Sequence, residues 1–254
     1  MSDKPVKARE PLAFFKSLLA LFLVALCLWA AQWQFQRGID RQDRNSQIES
    51  QLTLPNLDIN EITSGKSVDV SEYEWRTVKA TGSFKSSQQI LLKNRYFEGV
   101  YGYEVLTRFE LSDGRFIWVD RGWVKAGKDA RTAPEITAVP EEQVSIVGRV
   151  RLDRSLPVGA FFALPNSGAG MISKLNAQSG FASEGFYLDL ISGSVISLTP
   201  KAPAQVPELS DGPHLAYSLQ WVFFAGLFLY GRILIRRGQI LTRKELRIEP
   251  AGSN

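Results

Sequence analysis

Two runs of 20 residues without a formal charge bracket this chain: Ser17 to Gln36, closed by Lys16 and Arg37, and Gly212 to Gly231, closed by Asp211 and Arg232. At ~1.5 Å rise per residue each spans about 30 Å as a helix, the thickness of a bilayer's hydrocarbon core. The expectation is therefore two transmembrane helices, at 17–36 and 212–231. Leu18 to Ala31 is also h-region-like after a basic stretch, as in a signal peptide. Trp29, Gln32, Trp33 and Gln34 crowd the place where a small-x-small cleavage site would lie, so the run is read as a retained anchor.

Charge sets the expected orientation. Residues 1–16 carry four bases against two acids, and residues 232–254 six against two. By the positive-inside rule both tails are cytoplasmic. The remainder holds 20 bases and 22 acids, a net of −2, so the basic pI of the chain belongs to its ends. The middle carries no nucleic-acid signature. Asp3 and Glu10 make the short N-terminus a poor organelle presequence, and a multi-pass protein of a bacterial cell membrane fits better.

The 174 residues at 37–210 are then extracytoplasmic, enough for one domain with its own core. They read as mainly β: Val78 to Phe84, Gln89 to Leu92, Gly102 to Leu111, Phe116 to Val124, Val144 to Leu152 and Phe186 to Ile191, with Asp113-Gly114 as a hairpin turn. The clearest alternation puts Tyr103, Val105, Thr107, Phe109 and Leu111 on one face. A helix is expected around Ser173 to Gln178, and a polar, helix-compatible stretch runs from Asn45 to Leu52. The fold class is a small β-barrel or sandwich between two membrane helices. Pro200, Pro203 and Pro207 stiffen the connector to the second anchor.

Scarce residue types exclude much chemistry. Cys27 is the single cysteine and lies in the first anchor, so the outer domain has no disulfide, CxxC pair or covalent haem attachment. The single histidine, His214, opens the second anchor, so no Ser-His-Asp or Cys-His hydrolase fits in the outer domain, and no zinc or copper cluster can be assembled. Asp113 and Asp120 flank the hairpin turn and read as solvated charge rather than as an acid/base pair. The chain shows no positive sign of an enzyme.

What remains lies near the outer membrane boundary. Asp211 or Gly212 can cap the second helix, Pro213 suits its first position, and His214, Ser218, Trp221 and Ala225 share one stripe with Tyr217 and Phe224 beside it. One reading is an imidazole ligand with an aromatic wall; the other is a polar residue in an interfacial aromatic belt. At the matching depth of the first helix, Trp29, Trp33 and Arg37 follow at intervals of four, among Gln32, Gln34 and Gln36. Amides at this depth more often face a helix than lipid. If the helices pack, Trp33 and His214 share a pocket; an aromatic anchor with a snorkelling arginine is the alternative.

The order of short motifs resembles the surfeit-locus family of cytochrome c oxidase assembly proteins. The pieces are Trp33-Gln34-x-x-Arg37, Gly82-x-Phe84, Asn94-Arg95, Gly99-x-x-Gly102-Tyr103, Asp113-Gly114, Val119-Asp120-Arg121-Gly122-Trp123-Val124, Gly148-x-Val150-Arg151 and His214-Leu215-x-Tyr217-x-x-Gln220-Trp221. Three places depart from the family's pattern: Asp120 stands where Asn is usual, Lys125 where Pro is common, and Ala30-Ala31-Gln32 in place of Leu-Gly. The resemblance implies an assembly factor for an aa3-type oxidase that assists delivery or insertion of haem a into subunit I. It implies transient haem a binding with His214 as iron ligand. Tyr217, Trp221 and Trp33 would then cover the porphyrin and Arg37 would meet a propionate. Implied partners are oxidase subunit I, haem A synthase and membrane lipid, with Arg121, Gly122 and Trp123 presented for docking. For that segment a hairpin packed inside the domain is the other reading. For the whole protein, the rival is a membrane scaffold that stabilises oxidase intermediates and binds no haem.

Overall fold

The computed structural model describes residues 12–63, 69–128, 132–152 and 170–245, so of the expected tails at 1–16 and 232–254 only residues 12–16 and 232–245 lie within it. Two compact units are present: residues 1–45 with 209–254, and residues 46–208.

In the first unit, helix α1 (Ala13–Thr53) and the last helix, α4 (His214–Glu245), are each long and apolar enough to cross a bilayer. The two are antiparallel, joined by Ser218 Oγ donating to the Ala31 carbonyl at 2.9 Å and by Arg232 Nη2 donating to Ser17 Oγ at 2.9 Å. α1 runs well beyond the expected anchor, because Asp40 to Thr53 contains neither proline nor glycine and continues the helical pattern through the polar stretch noted above.

The second unit is a closed five-stranded barrel. Its strands are β2 (Thr77–Phe97), β3 (Val100–Leu111), β4 (Phe116–Lys125), β5 (Val144–Leu152) and β6 (Phe186–Gly193). A two-residue strand, β1 (Leu57–Asp58), and a short helix, α2 (Ile59–Thr63), precede them. β2 pairs with β5 through Thr77–Gly82 and with β3 from Gly82 to Phe97, so the order β2-β3-β4-β6-β5 returns to β2. A 21-residue strand can turn this corner because its register with β3 shifts twice, between Lys85 and Gln89 and between Leu92 and Arg95. The first shift falls at Ser86-Ser87-Gln88, which separated two strands in the sequence.

Alternation then sorts the side chains. Val78, Ala80 and Phe84 of β2, Phe109 and Leu111 of β3, Ile117 and Val119 of β4, Ile146 and Val150 of β5, and Phe186, Leu188 and Leu190 of β6 fill the interior. The opposite face carries Leu92, Leu106, Trp118 and Tyr187 beneath helix α3 (Met171–Ser179), which lays Met171, Ile172 and Leu175 on them. Trp118 Nε1 donates to Asn176 Oδ1 at 3.1 Å, so the buried indole is satisfied from α3.

β4 contains one irregularity that matters. Glu104 pairs with Trp123 and Leu106 with Asp120, so Arg121 and Gly122 occupy the space of one residue: a β-bulge. Gly122 has φ of +90°, and a Cβ there would lie 2.4 Å from the Ala202 carbonyl oxygen. Gly122→Ala is therefore expected to cost on the order of 3 kcal/mol, combining a disfavoured backbone conformation with a backbone clash. Thermal melting of the detergent-solubilised chain checks this; an unchanged midpoint would refute it.

Candidate functional site

The helix pair is built on small residues. Along α1, Ala13, Ser17, Ala20, Val24, Cys27, Ala31, Gln34, Gly38, Arg41 and Asn45 recur at alternating intervals of four and three, the spacing of a coiled-coil seam. Cys27, Ala31 and Gly38 are buried on α1, and Ala225 on α4. Gly38 is needed for close approach: a Cβ there would lie 2.9 Å from Leu215 Cδ2. In lipid, small residues let the backbones approach closely, and packing replaces the hydrophobic effect as the source of association.

Polar groups sit at the two ends of this seam. At one end Arg232 Nε and Nη2 donate to Ser17 Oγ at 3.1 and 2.9 Å, and Nη2 also donates to the Ala13 carbonyl at 3.2 Å. At the other, His214 Nδ1 lies 3.0 Å from Gln34 Oε1. Two to three turns further along α1, Arg41 Nη2 donates to Ser210 Oγ at 3.2 Å, Asn45 Nδ2 to the Ser210 carbonyl at 3.1 Å and Gln42 Nε2 to Asp211 Oδ2 at 3.2 Å. These last contacts fix the turn that enters α4. The two ends are 17 or 18 residues apart along either helix, about 26 Å, close to the apolar thickness of a bilayer.

The His214–Gln34 contact determines what the imidazole can do. An amide oxygen only accepts, so Nδ1 carries the proton, and in the neutral ring the Nε2 lone pair is free. No protein group among the described residues takes Nε2. A histidine oriented through one nitrogen and open at the other is the usual state of a metal-ligating imidazole. No cluster of three or more His, Cys, Asp or Glu that could hold a bare ion occurs among the described residues.

The other expected site residues are only partly drawn together. Ser218 and Trp221 follow His214 down the half-buried stripe that faces α1, with the Trp221 ring 5.8 Å from Phe224 and nearly perpendicular to it. Tyr217 is 48% exposed and Trp33 51%, both outside the seam. The Arg37 guanidinium lies 5.8 Å from the Trp33 ring centre, one turn along the same helix. Among the described residues no ring contact joins Trp33 to Tyr217 or Trp221. Ala31 and Gly38 are buried where α1 meets α4, while Trp33 and Tyr217 stand on the outside of the pair.

In the β domain, Arg121 Nη1 donates to Gln89 Oε1 at 3.0 Å, and Nη2 donates to the Thr137 carbonyl. The Gly122 N–H donates to Asp120 Oδ1 at 2.8 Å. The Trp123 N–H donates to the Ala202 carbonyl at 2.8 Å, its Nε1 to the Arg95 carbonyl at 3.3 Å, and its ring lies 5.5 Å from Phe97. All three residues are engaged within the domain.

Asp120 corrects the expectation of solvated charge: it is 3% exposed. Its neighbour across β6, Asp189, is held by Arg151 Nη1 at 3.0 Å with Arg149 Nη1 at 4.0 Å, and Arg151 stacks 3.7 Å from the Trp75 ring centre. Glu104, paired with Arg95 at 2.7 Å, completes a row of carboxylates on β3, β4 and β6. Burial, then repulsion from Glu104 and Asp189, pushes the Asp120 carboxyl well above its ordinary value. Burial also raises Asp189 to about 6, against the pull of Arg151 and Arg149. A row whose members stand 16 and 69 positions apart in the chain, at 104, 120 and 189, leaves no local signal in the sequence.

The chain matches the SURF1 family over residues 21–226. It belongs to that family. Uncharacterized SURF1-like proteins of Mycobacterium bovis and Mycobacterium tuberculosis are each 30% identical over 235 residues, covering 86% of this chain and 85% of theirs. A SURF1-like protein of Dictyostelium discoideum is 30% identical over 115 residues, 44% of this chain and 41% of its own. The match takes in both halves of the His214–Gln34 contact, the bulge at Arg121-Gly122 and the whole barrel.

Because the native state holds protons on Asp120 and Asp189 more tightly than the unfolded chain does, their contribution to stability is complete at low pH. It declines as pH rises above the ordinary value of 3.8, through about 6 for Asp189 and through the raised value of Asp120. Asp120→Asn keeps an oxygen to accept the Gly122 N–H and removes the titrating proton. The variant is expected to be more stable than wild type at pH 8, on the order of 1 kcal/mol, with a shallower decline from pH 5 to 8. Melting both proteins across that range tests this; equal slopes would refute it.

Proposed function

We propose that this SURF1-family protein is a non-enzymatic assembly factor for an aa3-type cytochrome c oxidase that assists delivery or insertion of haem a into subunit I. It sits in a bacterial cell membrane with both termini cytoplasmic and the barrel extracytoplasmic. His214 is the iron ligand of a transiently held haem a. The observation that carries this reading is the Gln34 contact, which orients the imidazole through Nδ1 and leaves Nε2 free. Trp33, Tyr217 and Trp221 supply aromatic surface to the porphyrin, and Arg37 offers a cation to a propionate. The bound group supplies the redox-active iron centre that the oxidase needs; the chain's own part is to hold and release it. On this reading the face shaped by Arg121, Gly122 and Trp123 docks subunit I or haem A synthase.

The test is the visible spectrum, with pyridine haemochrome analysis, of the detergent-purified protein co-produced with haem A synthesis. Wild type is expected to carry near-stoichiometric haem a, and His214→Ala to lose it or shift its spectrum. Gln34→Leu keeps the ligand but removes its orienting partner, so haem retention should weaken about tenfold to a hundredfold. Folded wild type without haem would overturn the ligand assignment and favour a scaffold that stabilises oxidase intermediates through protein contacts alone.

A further inference from the structure

Beyond the pairing with β4, the β2–β3 hairpin continues as two strands. Its last pairs are Arg95 with Gly102, Tyr96 with Tyr101 and Phe97 with Val100, and at the base Gly102 pairs with Lys125, the last residue of β4. The turn is Glu98-Gly99, both at positive φ, 50° and 77°, as a two-residue hairpin loop requires. One face of this finger is a ladder of tyrosines. Tyr96 and Tyr101 meet edge-on at 5.5 Å, and Tyr101 and Tyr103 at 5.6 Å. Tyr96 is 67% exposed and Val100 42%. Two strands alone are marginal in water, so a finger with an exposed Tyr96 beside half-buried Tyr101 and Tyr103 is expected to gain from a second medium.

The surroundings say which medium. Among the described residues, Lys93, Lys125 and Lys128 are exposed near the finger in the chain or the sheet, against one exposed acid there, Glu98, at the turn. Tyrosine is amphipathic, with an apolar ring and a hydroxyl that favours water, and lysine beside tyrosine suits an anionic lipid surface. The barrel sequence is joined at each end to a helix apolar enough to span a bilayer, so a lipid surface is present at high effective concentration. We infer that the 93–103 hairpin is a peripheral membrane anchor: Tyr96, Tyr101 and Tyr103 enter the headgroup region of an anionic bilayer, and Lys93, Lys125 and Lys128 meet the lipid phosphates. This anchor is independent of haem binding and would operate equally in a scaffold.

The experiment uses the full chain in nanodiscs containing phosphatidylglycerol, carrying Cys27→Ala and an environment-sensitive fluorophore on Glu98→Cys. A second preparation carries the label on Asp113→Cys, in the turn at the far end of β3. The label at 98 is expected to emit further to the blue than the label at 113. Lipids with a headgroup-level nitroxide should quench it at least twofold more. Tyr96→Ser with Tyr101→Ser, checked for native melting, should abolish the difference. Lys125→Glu, or replacing phosphatidylglycerol by phosphatidylcholine, should reduce it severalfold. Equal emission and quenching at 98 and 113 would overturn the anchor. Quenching that survives the double tyrosine substitution would overturn the role of the tyrosines.

Discussion

The close contact between α1 and α4 is the constraint on which the rest of the membrane unit depends. In hydrocarbon two apolar helices gain nothing by hiding from solvent, so their association rests on how near the backbones come and on which polar groups find partners. Ala31, Gly38 and Ala225 provide the nearness. The polar groups are confined to the two ends of the seam and to Ser218, whose hydroxyl is taken up by a backbone carbonyl one turn below His214. An amide and an imidazole would each be costly alone at the edge of the apolar layer. Paired, they fix the rotation of one helix against the other as well as the direction of the ring.

The barrel solves a different problem. Its interior is apolar, with residues from every strand, but its outer wall beneath and beside α3 carries three carboxylates on adjacent strands together with Arg95, Arg149 and Arg151. Replacing such a row by apolar residues is often neutral for stability, while removing one partner strands the other. The row links β2 to β3 through Arg95 and Glu104, and β5 to β6 through Arg151 and Asp189, while the register between β4 and β6 sets Asp120 directly opposite Asp189. The bulge at Arg121-Gly122 belongs to the same device: it lets the Gly122 N–H reach the Asp120 carboxyl and turns Trp123 onto Gly102 and Phe97.

Much of this was legible in the sequence because it rests on local periodicity. The core of β3 followed from strict alternation, β5 has the limits read for it at Val144 to Leu152, and α3 lies where a helix was expected around Ser173 to Gln178. The membrane helices followed from two uncharged runs, and the stripe His214, Ser218, Trp221, Ala225 from simple helical counting. β1 is two residues long and carries no period, and β2 was split because a bulge of Ser and Gln looks like a loop. The seam of α1 was present as small residues at intervals of four and three, but small residues alone do not reveal a partner helix. Asp120 looked solvated because its partner across the sheet, Asp189 on β6, lies 69 positions away in the chain.

The Gln34 contact also bears on why a histidine stands at the head of α4. A residue needed only to join the helices could be serine or asparagine, whose polar atoms can all be satisfied by a backbone carbonyl or an amide at this spacing. Histidine is larger and keeps a second nitrogen that the seam cannot reach. Its placement leaves Nδ1 bound to Gln34 and Nε2 without a protein partner, an arrangement costly at a membrane boundary unless water or a ligand completes it. Of the aromatic residues nearby, Trp33 and Tyr217 stand outside the seam, while Trp221 lies on the half-buried stripe that faces α1.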